Sequence, residues 1–178
     1  SYADDFVILS RGYAVEALAW TRAVMTRLGL TLNEGKTSVK NAREEHFDFL
    51  GYTFGPEHYR KDGHWYLGAS PSRKSVQRLK GKVSDILVPG EIGAWPEVRS
   101  QLNSLLRGWA NYFSYGTRLQ AYRAVDQHVY DRVRHFLARR HNEPGRGTRR
   151  FSRDHVYGEG GVLHLKRLHI GPPSKAVR

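Results

Sequence analysis

The chain has 178 residues, 39% hydrophobic and 12% aromatic, which suits one domain or two small ones around a real core and excludes wholesale disorder. It contains no Cys, so disulfides, thiolate zinc sites, Cys nucleophiles and iron–sulfur clusters are all excluded. Lys and Arg number 29 against 17 Asp and Glu, a net charge of +12, and the excess is uneven. Residues 1–70 carry eight basic and nine acidic side chains, whereas residues 71–178 carry 21 and eight. A near-neutral first part joined to a strongly basic second part is the footprint of a polyanion binder. Nucleic acid is favoured over membrane, because no basic stretch has the clean apolar face of an interfacial helix and no apolar run approaches the ~20 residues needed to span a bilayer.

In chain order, residues 6–9 form a short apolar run that reads as a buried strand, preceded by the polar Tyr2-Ala3-Asp4-Asp5. Residues 14–28 read as a helix with Leu18, Met25 and Leu28 on one face and Gly29 as its stop. Residues 31–40 have extended character around a turn at Asn33–Gly35. Residues 47–54 read as a strand bent by Gly51, and residues 58–67 as a hairpin turning at Asp62-Gly63. Pro71 marks a boundary. Residues 72–87 are helical, with Val76, Leu79, Val83 and Leu87 on one stripe. A second helix over 96–113 turns Val98, Leu102, Leu105, Leu106, Trp109 and Phe113 inward. A third, over 119–140, buries Leu119, Tyr122, Val129, Val133, Phe136 and Leu137. From Asn142 the chain is rich in Gly and Arg, with one apolar patch over 162–168 and no assignable element. The expected class is α+β: a partial sheet domain over 1–70, a helical domain over 71–141 and a basic tail over 142–178.

Adjacent carboxylates beside a buried strand repel one another unless a cation meets them, so Asp4 and Asp5 are either a metal pair or an ordinary surface turn. On the tetrapeptide alone these readings are evenly matched. The order of the later motifs changes the balance. After the pair come an amphipathic helix, then Leu30-Thr31-Leu32-Asn33-Glu34-Gly35-Lys36-Thr37, then Phe49-Leu50-Gly51-Tyr52, then Leu102-Asn103 and Leu106-Arg107-Gly108-Trp109-Ala110-Asn111-Tyr112-Phe113.

From Tyr2 to about Arg140 this series resembles, collinearly, the reverse transcriptase/maturase proteins encoded by bacterial group II introns. The Tyr-Ala-Asp-Asp box is common to many reverse transcriptases; the later helical signature is what points to the intron maturases. The resemblance implies catalytic Mg²⁺ on Asp4 and Asp5, and a role for Lys36 at the pyrophosphate or the incoming triphosphate. It implies a primer-gripping segment at Phe49, Leu50, Gly51 and Tyr52. It makes residues 71–87 the start of a thumb, and residues 96–140 the rest of the thumb with an RNA-gripping maturase region. Mg²⁺ suits such a site because oxygen-rich octahedral coordination favours Asp over His. Consecutive strand residues face opposite ways, so two metals need a further Asp, which such families supply from an upstream strand. Such a strand would lie before Ser1, and the chain reads as a piece of a longer protein, cytoplasmic or nucleoid-bound, that is not expected to polymerise DNA by itself. An apolar strand edge at residues 6–9 would then be open to self-association.

For RNA contact the candidates are Lys74, Lys80 and Lys82 on the first helix of the basic half, Asn111 and Tyr115, and an arginine face made of Arg118, Arg123, Arg132, Arg134, Arg139 and Arg140. Trp109, Tyr112 and Phe113 have core spacing before they have base-stacking spacing. Gly108 suggests close approach of a neighbour, which would make Arg107 structural. The scattered His residues, among them His164 and His169, lack the second ligand pair of a zinc site. The expected partners are group II intron RNA and, in a full-length protein, a DNA target and primer. The alternatives are a non-enzymatic splicing cofactor, with the chemistry done by RNA, and an inactive remnant.

Overall fold

A computed structural model describes residues 5–59 and 61–168. Its class is α+β, as the patterning indicates. In chain order come helix α1 (Ala14–Arg27), strands β1 (Phe47–Phe49), β2 (Tyr52–His58) and β3 (Trp65–Pro71), and helices α2 (Arg73–Ile86), α3 (Trp95–Tyr112) and α4 (Leu119–Arg140). A π-helical turn at His155–Glu159 and a 3-10 turn at Leu165–Arg167 complete the order.

The strands form an antiparallel meander, β1-β2-β3. Residues 47–54 are therefore not one bent strand. The chain reverses at Leu50-Gly51, between the paired Phe49 and Tyr52, with φ of 49° and 81° at the two turn residues. Positive φ at both positions is what a two-residue turn of primed type requires, because only that twist matches the strands. Leu50 is the unusual occupant, an exposed non-glycine held in the left-handed region. Between β2 and β3 the hairpin forms as the Asp-Gly pair indicates, but over a longer loop: Tyr59 N–H bonds His64 O at 2.9 Å and Gly63 N–H bonds Tyr59 O at 2.8 Å.

Helix α2 is capped by Ser72, whose hydroxyl accepts the Ser75 N–H at 3.2 Å, and with its C-cap Leu87 it buries the Val76, Leu79, Val83 and Leu87 stripe. Against it pack Val98, Leu102, Leu106 and Ala110 of α3 and Tyr122, Val125, Val129, Val133, Phe136 and Leu137 of α4. Leu119, expected inside, is 46% exposed at the first position of α4. The core does not stop at residue 141. Phe151, Val156, Val162 and Leu165 join the same cluster, so the basic tail supplies a fourth wall to the helices.

Asp126 explains how that wall is held. The spacing Tyr122, Asp126, Val129, Val133 puts an acid on the inward stripe of α4, where it is 3% exposed. Its two carboxylate oxygens accept the N–H groups of Leu165 and Lys166, both at 2.9 Å, and His164 Nε2 lies 3.3 Å away. From the α3 side, Asn103 donates to Gly161 O and accepts from Leu163 N–H, each at 2.8 Å. Two side chains thus satisfy four backbone groups of a segment with almost no regular structure.

The first part of the chain is organised differently. Residues 6–9 pair with no strand among the described residues, contrary to the expected buried strand, and all four are exposed. A short apolar run becomes a strand only when a neighbour lends it a ladder. Helix α1 matches its expected span, but Leu28 is 65% exposed and Thr21 is its one buried residue. The turn at Asn33 forms, with Lys36 and Thr37 N–H bonding Asn33 O at 3.0 Å, and a two-bond ion pair from Arg22 to Glu34 ties it to α1. The Arg43 guanidinium over the Trp65 ring, 5.2 Å from its centroid, links this part to the sheet.

Candidate nucleic-acid interface

The stripe that α2 buries dictates what it exposes. With Val76, Leu79 and Val83 inward, Lys74, Arg78 and Lys82 recur every fourth residue along the outer face, and Arg73 stands beside them. None of these four cations has a side-chain partner among the described residues. Four unneutralised charges on one helix repel one another, and a row of phosphates relieves that repulsion. Sequence reasoning selected Lys74 and Lys82 but passed over Arg73 and Arg78; the four-residue recurrence with the lysines was the available signal. Lys80 points elsewhere: it is half-buried, and its carbonyl meets His128 Nε2 at 3.1 Å. Burial pushes the His128 imidazole below its ordinary pKa.

The arginines of α4 do not share one face. Arg132 reaches Ser84 O at 3.4 Å and Leu87 O at 3.3 Å, capping carbonyls at the end of α2. Arg134 donates to Thr148 at 3.1 Å and lies over the Tyr130 ring. Arg140 donates to Gly93 O at 2.7 Å, and Arg118 lies against the Tyr122 ring. Only Arg123 and Arg139 are exposed with no hydrogen-bond or ion-pair partner among the described residues. Four of the six arginines are therefore engaged in holding the protein together. Asn111 and Tyr115 are exposed, and so is Arg107. A Cβ built on Gly108 meets nothing within 4 Å, so no neighbour among the described residues accounts for that glycine.

The segment Phe49–Tyr52 is brought directly onto the α3 signature. Tyr52 donates to Tyr112 O at 2.8 Å and Tyr112 donates back to Leu50 O at 2.9 Å. Gly51 O accepts from Ser72 N–H at 2.8 Å and from the Ser75 hydroxyl at 2.9 Å. An aromatic series runs from Tyr52 through Phe113 to Trp109 and Tyr122, with centroids 4.8, 4.8 and 5.7 Å apart. Trp109 and Phe113 are thus packing residues, whereas Tyr112 keeps an exposed ring and spends its hydroxyl on the hairpin turn.

Asp4 lies outside the described residues. Asp5 is exposed on an irregular stretch, and Lys36 is exposed in its turn; neither side chain has a partner among the described residues. No three His, Cys, Asp or Glu side chains gather to hold a metal ion among the described residues. Asp5 is the one carboxylate of the pair among the described residues, and octahedral Mg²⁺ takes several oxygen ligands.

A meander feeding a helical unit whose outer face carries unpaired cations is an α+β arrangement with a surface suited to a polyanion. Residues 76–155 match the family described as the group II intron, maturase-specific domain. Over residues 76–155 the helical unit is thus similar to a maturase-specific domain, which supports a role in group II intron splicing. No curated protein matches the chain. No helix among the described residues is long and apolar enough to cross a membrane.

Proposed function

We propose that this chain binds structured group II intron RNA and stabilises its splicing-competent fold, leaving the chemistry to the RNA. The observation that carries this reading is the row of unpartnered cations, Arg73, Lys74, Arg78 and Lys82, on a unit that matches the maturase-specific domain. Contacts of this kind position an RNA through its phosphates and its shape. The test is salt-titrated binding of the chain to the intron RNA flanking its gene, against an unrelated structured RNA of equal length. A preference for the intron that persists at physiological salt supports the reading. Equal binding to both RNAs, vanishing with salt, overturns it.

In a whole reverse transcriptase, Tyr2-Ala3-Asp4-Asp5 is proposed to hold Mg²⁺ through Asp4 and Asp5 together with a further carboxylate. Lys36 would serve the triphosphate, and Phe49–Tyr52 the end of a DNA primer. What supports this is the collinear order of the motifs and the tight docking of the Leu50-Gly51 turn on α2 and α3. This chain alone is expected to give no primer extension above a mock reaction. The exposed apolar side chains of residues 6–9 are the proposed surface for self-association; a monomeric mass at high concentration would refute that.

A further inference from the structure

Helix α4 and the loop that returns along it bring three arginines within electrostatic reach of one histidine. Arg134, His135 and Arg139 come from α4, and Arg146 comes from the loop. The loop is firmly set. Gly145 and Gly147 flank Arg146 with φ of 74° and 66°, and a Cβ on Gly147 would stand 2.7 Å from the Ala138 Cβ. Phe151 N–H closes the loop onto Gly147 O at 2.9 Å, and its ring is buried in the core. Arg146 is therefore carried to the helix by a short, close-packed strap.

The charge at this place is not balanced. Among the described residues Asp131, 3.4 Å from Arg134, is the one carboxylate acting on His135, and the loop's Glu143 is already paired with Arg150. Arg134 Nε is buried without a hydrogen-bond partner. Arg134 Nη2 lies 3.3 Å from His135 Nε2. A guanidinium can only donate, so Nε2 accepts and the ring is the neutral Nδ1–H tautomer. Partial burial, then Arg134, Arg139 and Arg146, all push the imidazole below its ordinary pKa, with Asp131 opposing them. Burial first, and then the neighbouring cations, disfavour the protonated form of this half-buried histidine.

We propose that Arg134, His135, Arg139 and Arg146 form a site for one phosphate group of bound RNA, and that filling it takes up one proton. The inference rests on the RNA-binding reading and names a second anchor, separate from the row on α2. An arriving phosphate meets the exposed Arg139 and Arg146 and takes the Arg134 Nη2 donor from His135, while Nη1 keeps its bond to Thr148. That frees His135 Nε2, which takes a proton from solvent, keeps it, and donates a hydrogen bond to a phosphate oxygen. Because the free form titrates below the ordinary imidazole value and the bound form above it, affinity rises as pH falls through that interval. One linked proton sets the ceiling at about tenfold per pH unit.

The experiment tracks the His135 ring by NMR in the whole chain through a pH titration, alone, with inorganic phosphate, and with the intron RNA. RNA affinity is measured in parallel at about pH 7.5 and about pH 5.5, on either side of the imidazole range. The site predicts an upward shift of the His135 titration with phosphate and with RNA. It also predicts a several-fold tighter complex at the lower pH that is lost in His135→Gln and weakened in Arg146→Gln. A Lys61→Gln control removes the same charge elsewhere and keeps the pH effect. An unmoved His135 titration with the RNA bound overturns the site and leaves the RNA reading standing. A titration that moves with phosphate in a chain that binds no RNA keeps the site and overturns the RNA reading. A shift with phosphate only at concentrations that also bind His135→Gln equally marks an adventitious ion only and overturns the proposal.

Discussion

Residues 5–46 and residues 72–168 contain comparable hydrophobic patterning and do opposite things with it. In the first stretch Phe6, Val7, Ile8, Leu9, Val15, Trp20, Leu28 and Leu30 are exposed, and Thr21 is the one buried residue. In the second, twenty residues close into one cluster that includes fully buried Leu87, Leu102, Leu106 and Leu165. An amphipathic period states which face of an element is to be covered; it does not supply the cover. Helix α2 has α3 and α4 against it. Helix α1 has an ion pair to a turn, and surface ion pairs contribute little.

The sharpest test of this contrast is truncation on each side. Leu102→Ala should destabilise the chain by about 3–5 kcal/mol, because Leu102 is fully buried and the packed helices cannot collapse onto the void. Trp20→Ala, which removes a larger side chain, should change stability by about 0.5 kcal/mol or less. Chemical denaturation of both variants measures the difference, and an equal loss in the two would show that α1 is part of the same cooperative core.

Asp126→Ala is the next largest. It orphans the N–H groups of Leu165 and Lys166 and removes the charge facing His164, a loss of about 3 kcal/mol. Because the tail is held from α4 by this carboxylate, limited proteolysis should cut within 155–168 well before it cuts α2 or α3. Uniform susceptibility would mean that apolar contacts of Val156, Val162 and Leu165 hold the wall unaided.

How much of this was legible in the sequence is set by the same contrast. Spacing placed α2, α3 and α4 within a residue or so of their ends and identified most of their inward faces, because each helix finds its cover inside the chain. Residues 6–9 read as a strand on composition alone, and composition cannot report that no partner strand is present to pair with them. The Leu50-Gly51 reversal was missed because a leucine seldom occupies positive φ; the docking of that turn on Ser72, Ser75 and Tyr112 holds it there. The tail escaped assignment because its order comes from Asp126 and Asn103, far away in sequence. An acid at an inward position of α4 was the clue. The arginines of α4 show the limit for sites: sequence counts charges, and only the fold shows that Arg132 and Arg140 are spent on carbonyls of their own chain.

Acid should loosen the helical unit first. His128 and His135 have pKa values pushed below the ordinary 6.5, so the folded state binds fewer protons than the unfolded state as pH falls through that value. Their contribution is complete above about pH 6.5 and is lost on descent toward the folded values. Asp126 acts in the other sense and nearer the carboxylate range, since burial raises it. Thermal melts at neutral pH and about one unit below the imidazole value should show a modest fall in Tm, flattened in His128→Gln. A flat profile in the wild-type chain would mean that these rings gain access to water in the folded state.

Two glycines bring the comparison down to a single methyl group. Gly116 has φ of 70°, and a Cβ there would stand 2.0 Å from Ala69 O, the acceptor of the 2.7 Å bond from Thr117 N–H. That contact joins the α3–α4 loop to β3, so Gly116→Ala must break it and should cost about 2 kcal/mol. Gly81 lies inside α2 with ordinary helical φ, and a Cβ there meets nothing within 4 Å. The isolated chain derives no packing from that glycine and bears its backbone entropy, so Gly81→Ala should stabilise by about 0.5–1 kcal/mol. The position lies between Arg78 and Lys82 on the outer face of α2, the row proposed to meet RNA. A glycine that weakens its own helix, and whose added Cβ would meet nothing among the described residues, suits the close approach of another molecule's backbone. Gly81→Ala should therefore raise Tm without tightening the RNA complex, and tighter binding would show that the phosphates keep clear of this turn of the helix.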